Sequence, residues 1–188
     1  MPHSLVFQDS SQKFPNGLES PVDAGFKTAL PVYGCYSLII DLNRKKTIQV
    51  GKLGEAIFPA GTYVYTGSAM RGLGARLKRH CSRKKKLHWH IDYLLTLQEA
   101  RVRQIILYPA APGQECRQNK RIAACAGAVV ILHNFGASDC KSGCPSHLLY
   151  FAKNCSPKSA EYRDVREPQS KLLRKQVTNL ASVSSLGS

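Results

Sequence analysis

Residues 61–80 read GTYVYTGSAMRGLGARLKRH, and this stretch decides the fold. Positions 62–66 (TYVYT) combine β-branched and aromatic residues and read as a strand. Gly67, Gly72 and Gly74 then break the pattern, and 75–82 reads as a helix. Upstream, 36–42 (YSLIIDL) is an apolar run expected as a buried strand. Residues 43–46 (NRKK) form the expected turn, and 47–50 (TIQV) return as its hairpin partner. Gly51, Gly54, Pro59 and Gly61 punctuate the segment between this hairpin and TYVYT. Downstream, 89–97 (WHIDYLLTL) spaces Ile91, Leu94 and Leu95 as a helix does. Residues 102–108 (VRQIILY) read as a strand ended by Pro109, and 113–126 as a third helix. The short apolar runs 129–132 and 148–151 are left open between helix and strand. The order β-β-β-α-α-β-α predicts an α+β fold with a small mixed or antiparallel central sheet flanked by helices.

Around this segment the chain divides into three. Residues 1–31 are rich in Ser, Pro, Gly and Asp without a sustained period and are expected to form a flexible leader. Residues 32–153 hold the folded domain. From 154 to 188 the composition turns polar, so a flexible tail is expected, with one amphipathic helix around 170–180. The 188 residues suffice for one domain with a real core, and a hydrophobic content of 43% excludes a wholly disordered chain. No run of 18 apolar residues occurs, so no spanning helix is expected. The opening MPHSLVFQDSSQKF lacks the charged start and apolar block of a secretory signal, which points to a cytoplasmic protein, nucleoid-associated if bacterial. Seven cysteines at irregular spacings then read as reduced thiols rather than a disulfide framework.

Lys and Arg number 27 against 12 Asp and Glu, a net charge of +15, which favours a polyanionic partner. The densest block is 71–86, RGLGARLKRHCSRKKK, with no acidic residue. Arg71, Lys78, Arg79, Arg83, Lys84, Lys85 and Lys86 are the candidate nucleic-acid contacts. The single Trp89 comes next, and a core position is the favoured reading for it. No apolar anchor accompanies the block, so a membrane contact is not expected.

Phosphodiester hydrolysis needs a means of activating water, a cation for the developing phosphoryl charge and a carboxylate to fix a metal. Tyr36 in GCY (34–36), Tyr65 in YTG (65–67), Arg76 on the following helix and Glu115 at the start of the third helix can supply these. Glu115 is the only acidic residue between Glu99 and Asp139. The tripeptides GCY and YTG, followed by a helix with Arg76 and His80, resemble the GIY-YIG nuclease superfamily. The phrases GTYVYTGSA (61–69), GLGARLKRH (72–80), HWHIDYLL (88–95) and FGASDCKSGCPSHLLYF (135–151) resemble its DUF123 branch. The resemblance covers about residues 32–152. It implies a nuclease in which Tyr36 positions or deprotonates the attacking water and Tyr65 lines the site. It further implies that Arg76 contacts the scissile phosphate and that Glu115 binds Mg2+ or Mn2+. His80 is an alternative proton acceptor. Fusion of this branch to a base-excision glycosylase in some organisms implies DNA repair, and hence DNA over RNA as the partner.

The pattern departs at Cys35 and Thr66, in a longer gap between the tripeptides, and at Ser68, where many members carry Lys or Arg. Ser68 motivates an alternative reading, a catalytically inactive nucleic-acid-binding module for DNA or RNA. Tyr63 and Tyr65 share a strand face, so either can be the functional tyrosine.

A second polar cluster joins His90 and Asp92, expected to pack under the basic helix and orient Arg76 or His80, with Asp139 and His147 near the cleft. Cys140, Cys144 and His147 have the spacing Cys-x3-Cys-x2-His. Structural Zn2+ would need a fourth ligand from Cys116, Cys125, His133 or Asp139. The favoured reading is a tight Gly/Pro turn with buried thiols.

Overall fold

The computed structural model of the chain describes residues 6–8, 32–108 and 110–153. The expected tail at 154–188, its helix at 170–180 and the rest of the leader lie outside the described residues. The strands are β1 (Val6–Gln8), β2 (Gly34–Leu42), β3 (Lys46–Gln49), β4 (Glu55–Phe58), β5 (Gly61–Ala69), β6 (Ala100–Tyr108) and β7 (Leu148–Phe151). The helices are α1 (Leu73–Cys81), α2 (His90–Leu95) and α3 (Gln114–Ala123). The fold is α+β: a five-stranded antiparallel sheet in the order β1-β6-β2-β5-β7 and a separate two-stranded sheet, β3-β4. Among the described residues no helix is long and apolar enough to cross a membrane.

Strand β2 is central, and its apolar run is buried on both faces. Side chains alternate along it. Tyr36, Leu38, Ile40 and Leu42 join one core with Leu73 and Leu77 of α1 and Ile91, Leu94 and Leu95 of α2. The opposite face meets α3, where Gln118 donates to the Tyr108 hydroxyl at 3.1 Å, and Tyr108 is the cross-strand partner of Cys35. The sheet is thus covered on both sides, and the tripeptide strands run through its middle.

Two expectations are corrected here. Residues 47–50 do not return against β2, because β5 and β6 already occupy both of its edges. Instead β3 pairs with 55–58, a strand the punctuating glycines and proline concealed, through a turn in which Val50 N–H donates to the Gly54 carbonyl at 2.9 Å. The leader reading also fails at Val6–Gln8, which pairs with Gln104–Ile106 of β6. Main-chain groups on the outer edge of β6 are available to any extended segment, so this pairing leaves little trace in composition.

The register aligns the two tripeptides. Gly34 lies opposite Ala69 and Tyr36 opposite Gly67. A Cβ at Gly67 would fall 2.6 Å from the Tyr36 hydroxyl oxygen and 2.7 Å from Cζ, closer than real contacts allow. Gly67 therefore makes room for the Tyr36 ring and its hydroxyl. Gly67→Ala is expected to destabilise the fold by about 1–3 kcal/mol, as overpacking of a core does. Urea denaturation of wild type and variant measures this, and an unchanged midpoint contradicts it.

Candidate functional site

The site forms where β5 outruns β7. Pairing of β7 with β5 stops at Tyr65, with one further bond from Thr66 N–H to the His147 carbonyl at 2.9 Å. Ser68 lies beyond this point and faces away from Tyr65 and Gly67 by strand alternation. Two helices converge on it. Arg76 of α1 donates from Nη1 to the Ser68 carbonyl at 2.8 Å. The Ser68 hydroxyl donates a very short hydrogen bond to Glu115 Oε2 in the first turn of α3. The positive end of that helix favours a carboxylate there. The other oxygen, Glu115 Oε1, is 2.9 Å from His147 Nδ1. A groove of about 510 Å3 opens at this junction, lined by Tyr65, Ser68, Arg76, Glu115, Asp139 and His147 among others.

Beneath the groove, the Tyr36 hydroxyl and His80 Nε2 share a buried 2.7 Å hydrogen bond. Burial, reinforced by neighbouring Tyr65 and opposed by Arg76, raises the Tyr36 phenol well above its ordinary value. Burial also raises Tyr65, with the charge of Glu115 adding to it. Burial and the Lys85 charge push His80 down to about 3, so its imidazole is neutral at neutral pH. Burial would raise Glu115 as well, but hydrogen bonds from His147 and Ser68 outweigh it and hold the carboxyl below its ordinary value. The reciprocal contact lifts His147 above its ordinary value against the effect of burial.

The loop around Phe135 closes the groove from the β7 side. Gly136 has φ +68°, and a Cβ there would sit 2.8 Å from the Tyr65 ring, so both backbone and space require glycine. Its N–H donates to His90 Nδ1 at 3.1 Å.

A thiol cluster adjoins the groove behind Glu115. Cys116 Sγ is 3.5 Å from Cys140 Sγ and 3.9 Å from His147 Nε2. One ligand atom from each of Cys116, Cys140, Cys144 and His147 falls within 4.8 Å of all the others, a set able to hold a metal ion. Burial opposes ionisation of Cys140, but the N–H groups of Cys144 and Ser142 together with Cys116 and His147 bring its thiol down to about 6. Burial pushes Cys144 up to about 11. Among the described residues no disulfide forms.

A family model described as "Domain of unknown function DUF123" matches residues 35–168. The chain belongs to the DUF123 family. No curated protein and no solved structure matches it.

In this DUF123 chain the groove brings together Tyr65, Arg76, Glu115, Asp139, His147 and His90, with Tyr36 and His80 directly below. Tyr63 is elsewhere: its hydroxyl donates to the Pro59 carbonyl at 2.7 Å, and its ring packs on Phe58 and Tyr150. Asp92 orients neither Arg76 nor His80. Its fully buried carboxylate binds Arg79 at 2.6 Å and lies 3.5 Å from Lys85 Nζ. Lys85 is accordingly not a surface cation. Its side chain is 2% exposed, and Nζ donates to the carbonyls of Arg79 and His80. Arg71, Lys78, Arg83, Lys84 and Lys86 are exposed.

Trp89 packs against the core as expected, but only in part. It sits half-buried at the groove wall, with the Arg76 and Arg79 guanidinium groups 4.6 and 4.8 Å from its ring. Its place directly after the Lys run is the signal in the sequence. Ser68 is more than a missing cation, since its hydroxyl and carbonyl join Glu115 to Arg76.

Proposed function

We propose that this protein is a divalent-metal-dependent endonuclease of the GIY-YIG type, hydrolysing phosphodiester bonds in DNA and serving DNA repair. The observation that carries the reading is the single groove shared by Tyr65, Arg76 and Glu115, with the Tyr36–His80 pair beneath it. The groove's donors suit a hard cation. Mg2+ is commonly held by one or two carboxylates plus substrate oxygens. Glu115 is a carboxylate kept ionised at the groove, and Asp139 is exposed beside it. Glu115, assisted by Asp139, would hold Mg2+ or Mn2+, which supplies charge neutralisation at the phosphate when bound.

The chain's own residues do the remaining work. Arg76 keeps its charge pinned at the β5 edge through Ser68 and Trp89 and holds the scissile phosphate electrostatically. Tyr65 stays a neutral phenol and offers a hydrogen bond within the groove. The absence of a side chain at Gly67 makes room for the Tyr36 hydroxyl beneath the groove floor. Tyr36 is too costly to ionise and His80 too weak a base to take its proton, so the neutral pair would help position the attacking water, whose proton is released to solvent.

The basic block would hold the strand. Affinity for duplex DNA should fall steeply with salt, and removing Lys84 and Lys86 together should lower the log–log slope by about two. Lys85→Ala should leave the slope unchanged and instead lower stability, since Lys85 faces inward. Anisotropy titrations across salt concentrations read both effects, and a salt-insensitive affinity contradicts phosphate contact. Incubating DNA and RNA substrates with and without Mg2+ tests the activity itself. DNA cleavage that requires Mg2+ and is lost in Glu115→Gln, with binding retained, is the expected result. Binding without cleavage under every metal would favour an inactive binding module, and cleavage confined to RNA would overturn DNA as substrate.

A further inference from the structure

The fold gathers sulfur ligands that the nuclease reading does not use. We propose that Cys116, Cys140, Cys144 and His147 bind one structural Zn2+ that staples the start of α3 to the 140–147 loop, and that Glu115 orients the histidine ligand. The proposal goes beyond the nuclease reading and stands without it.

Three observations converge. A tetrahedron with zinc–sulfur bonds of about 2.3 Å has edges of roughly 3.8 Å. The Cys116–Cys140 and Cys116–His147 separations of 3.5 and 3.9 Å bracket that edge, and all four ligand atoms fall within 4.8 Å of one another. The sulfur atoms are also too far apart for a disulfide, whose bond is about 2.05 Å. Second, the donor set is soft. Three thiolates and an imidazole select zinc and reject magnesium or calcium, and four protein ligands leave no open position, which marks a structural site. Third, a carboxylate already stands beside the histidine. Glu115 Oε1 lies 2.9 Å from His147 Nδ1, which leaves Nε2, the atom facing Cys116, for the metal. Carboxylate–histidine–zinc arrangements fix ring and tautomer in this way.

The ligands come from two segments distant in sequence, α3 and the 140–147 loop. Both segments contribute to the groove wall, through Glu115 and Cys116 on one side and Cys140 and His147 on the other. Zinc would therefore fix the position of Glu115, which precedes a ligand on its own helix.

The test uses the full chain purified under reducing conditions. Elemental analysis should find one zinc per chain. After the metal is removed, Co2+ titration should produce the strong visible bands of a tetrahedral site and a thiolate-to-metal charge-transfer band of three-thiolate intensity, saturating at one equivalent. Cys140→Ser and Cys144→Ser should each lose stoichiometric zinc. Glu115→Gln should keep one zinc but hold it about 10–100-fold more weakly. A weak octahedral cobalt spectrum without charge transfer, or a Cys144→Ser chain that retains zinc as tightly as wild type, would overturn the site. The cobalt spectrum of the unmutated chain decides the matter even where a serine variant does not fold. None of these readouts depends on DNA cleavage, so an inactive nuclease and an absent zinc site give different results.

Discussion

Arg76→Ala is expected to lower DNA cleavage by about 10²–10³-fold while DNA affinity changes by less than about tenfold. The asymmetry arises from the contacts of Arg76. One N–H is given to the Ser68 carbonyl at 2.8 Å, and the guanidinium plane lies 4.6 Å from the Trp89 ring centre. These contacts hold the cation in place, so in the proposed reaction it would stabilise developing charge without reorganising. Overall affinity, by contrast, would be distributed over Arg71, Lys78, Arg83, Lys84 and Lys86, all exposed. Arg76→Lys retains the charge but loses the planar fork and the stack, and should recover only a small part of the rate. Single-turnover cleavage combined with anisotropy binding separates the two effects. A variant that loses affinity and cleavage in equal measure would assign Arg76 to general binding rather than to the reacting phosphate.

The largest effect on stability is expected at Asp92. Its carboxylate is fully buried and gathers four groups. The N–H groups of His88 and Trp89 donate to Oδ2 at 3.0 Å each, Arg79 at 2.6 Å, and Lys85 Nζ lies 3.5 Å from Oδ1. Asp92 thus closes the first turn of α2 and anchors the basic segment after α1. Asp92→Ala leaves Lys85 buried without its counter-charge, and breaking such a pair costs about 3–5 kcal/mol. Replacing both partners by apolar residues of similar size should cost much less than Asp92→Ala alone. Urea denaturation of the single and paired variants checks this.

The pH dependence has a definite sign. Burial alone would raise the Asp92 carboxyl, but the Trp89 and His88 N–H groups, then Arg79 and Lys85, bring it below its ordinary value. A lowered native pKa stabilises the fold above the unfolded carboxylate value, near 4, and that stability is lost as pH falls through the native value. Asp92→Asn should remove this part of the acid sensitivity. An acid-unfolding curve for Asp92→Asn as steep as that of wild type contradicts the assignment.

Most strands and all three described helices are legible in the sequence because each carries a local signal. YSLIIDL has the apolar density of a strand buried on both faces, and TYVYT has the β-branched and aromatic content of one. The features that escape are set by pairing and by space. The segment 55–58 is too short and too closely flanked by glycine and proline to announce β4, and it takes β3 because β2 has no free edge. Local charge misleads at Lys85, since a run of three lysines does not reveal that a carboxylate seven residues later, at Asp92, turns the middle one inward. The same holds for Cys116, one of several candidate fourth ligands until the sheet brings α3 against the 140–147 loop. Ser68 lacks the charge expected at its position, but its value lies in where it stands, one residue past the glycine that accommodates Tyr36.

The shared groove is meaningful only if it hydrolyses a phosphodiester. The most direct measurement is single-turnover nicking of supercoiled plasmid DNA by the purified chain, in Mg2+ and in EDTA. Nicked circles should appear with Mg2+, vanish with EDTA and be absent with Arg76→Ala. Intact plasmid in Mg2+ and in Mn2+, under conditions where the chain demonstrably binds it, would contradict a nuclease role for the groove.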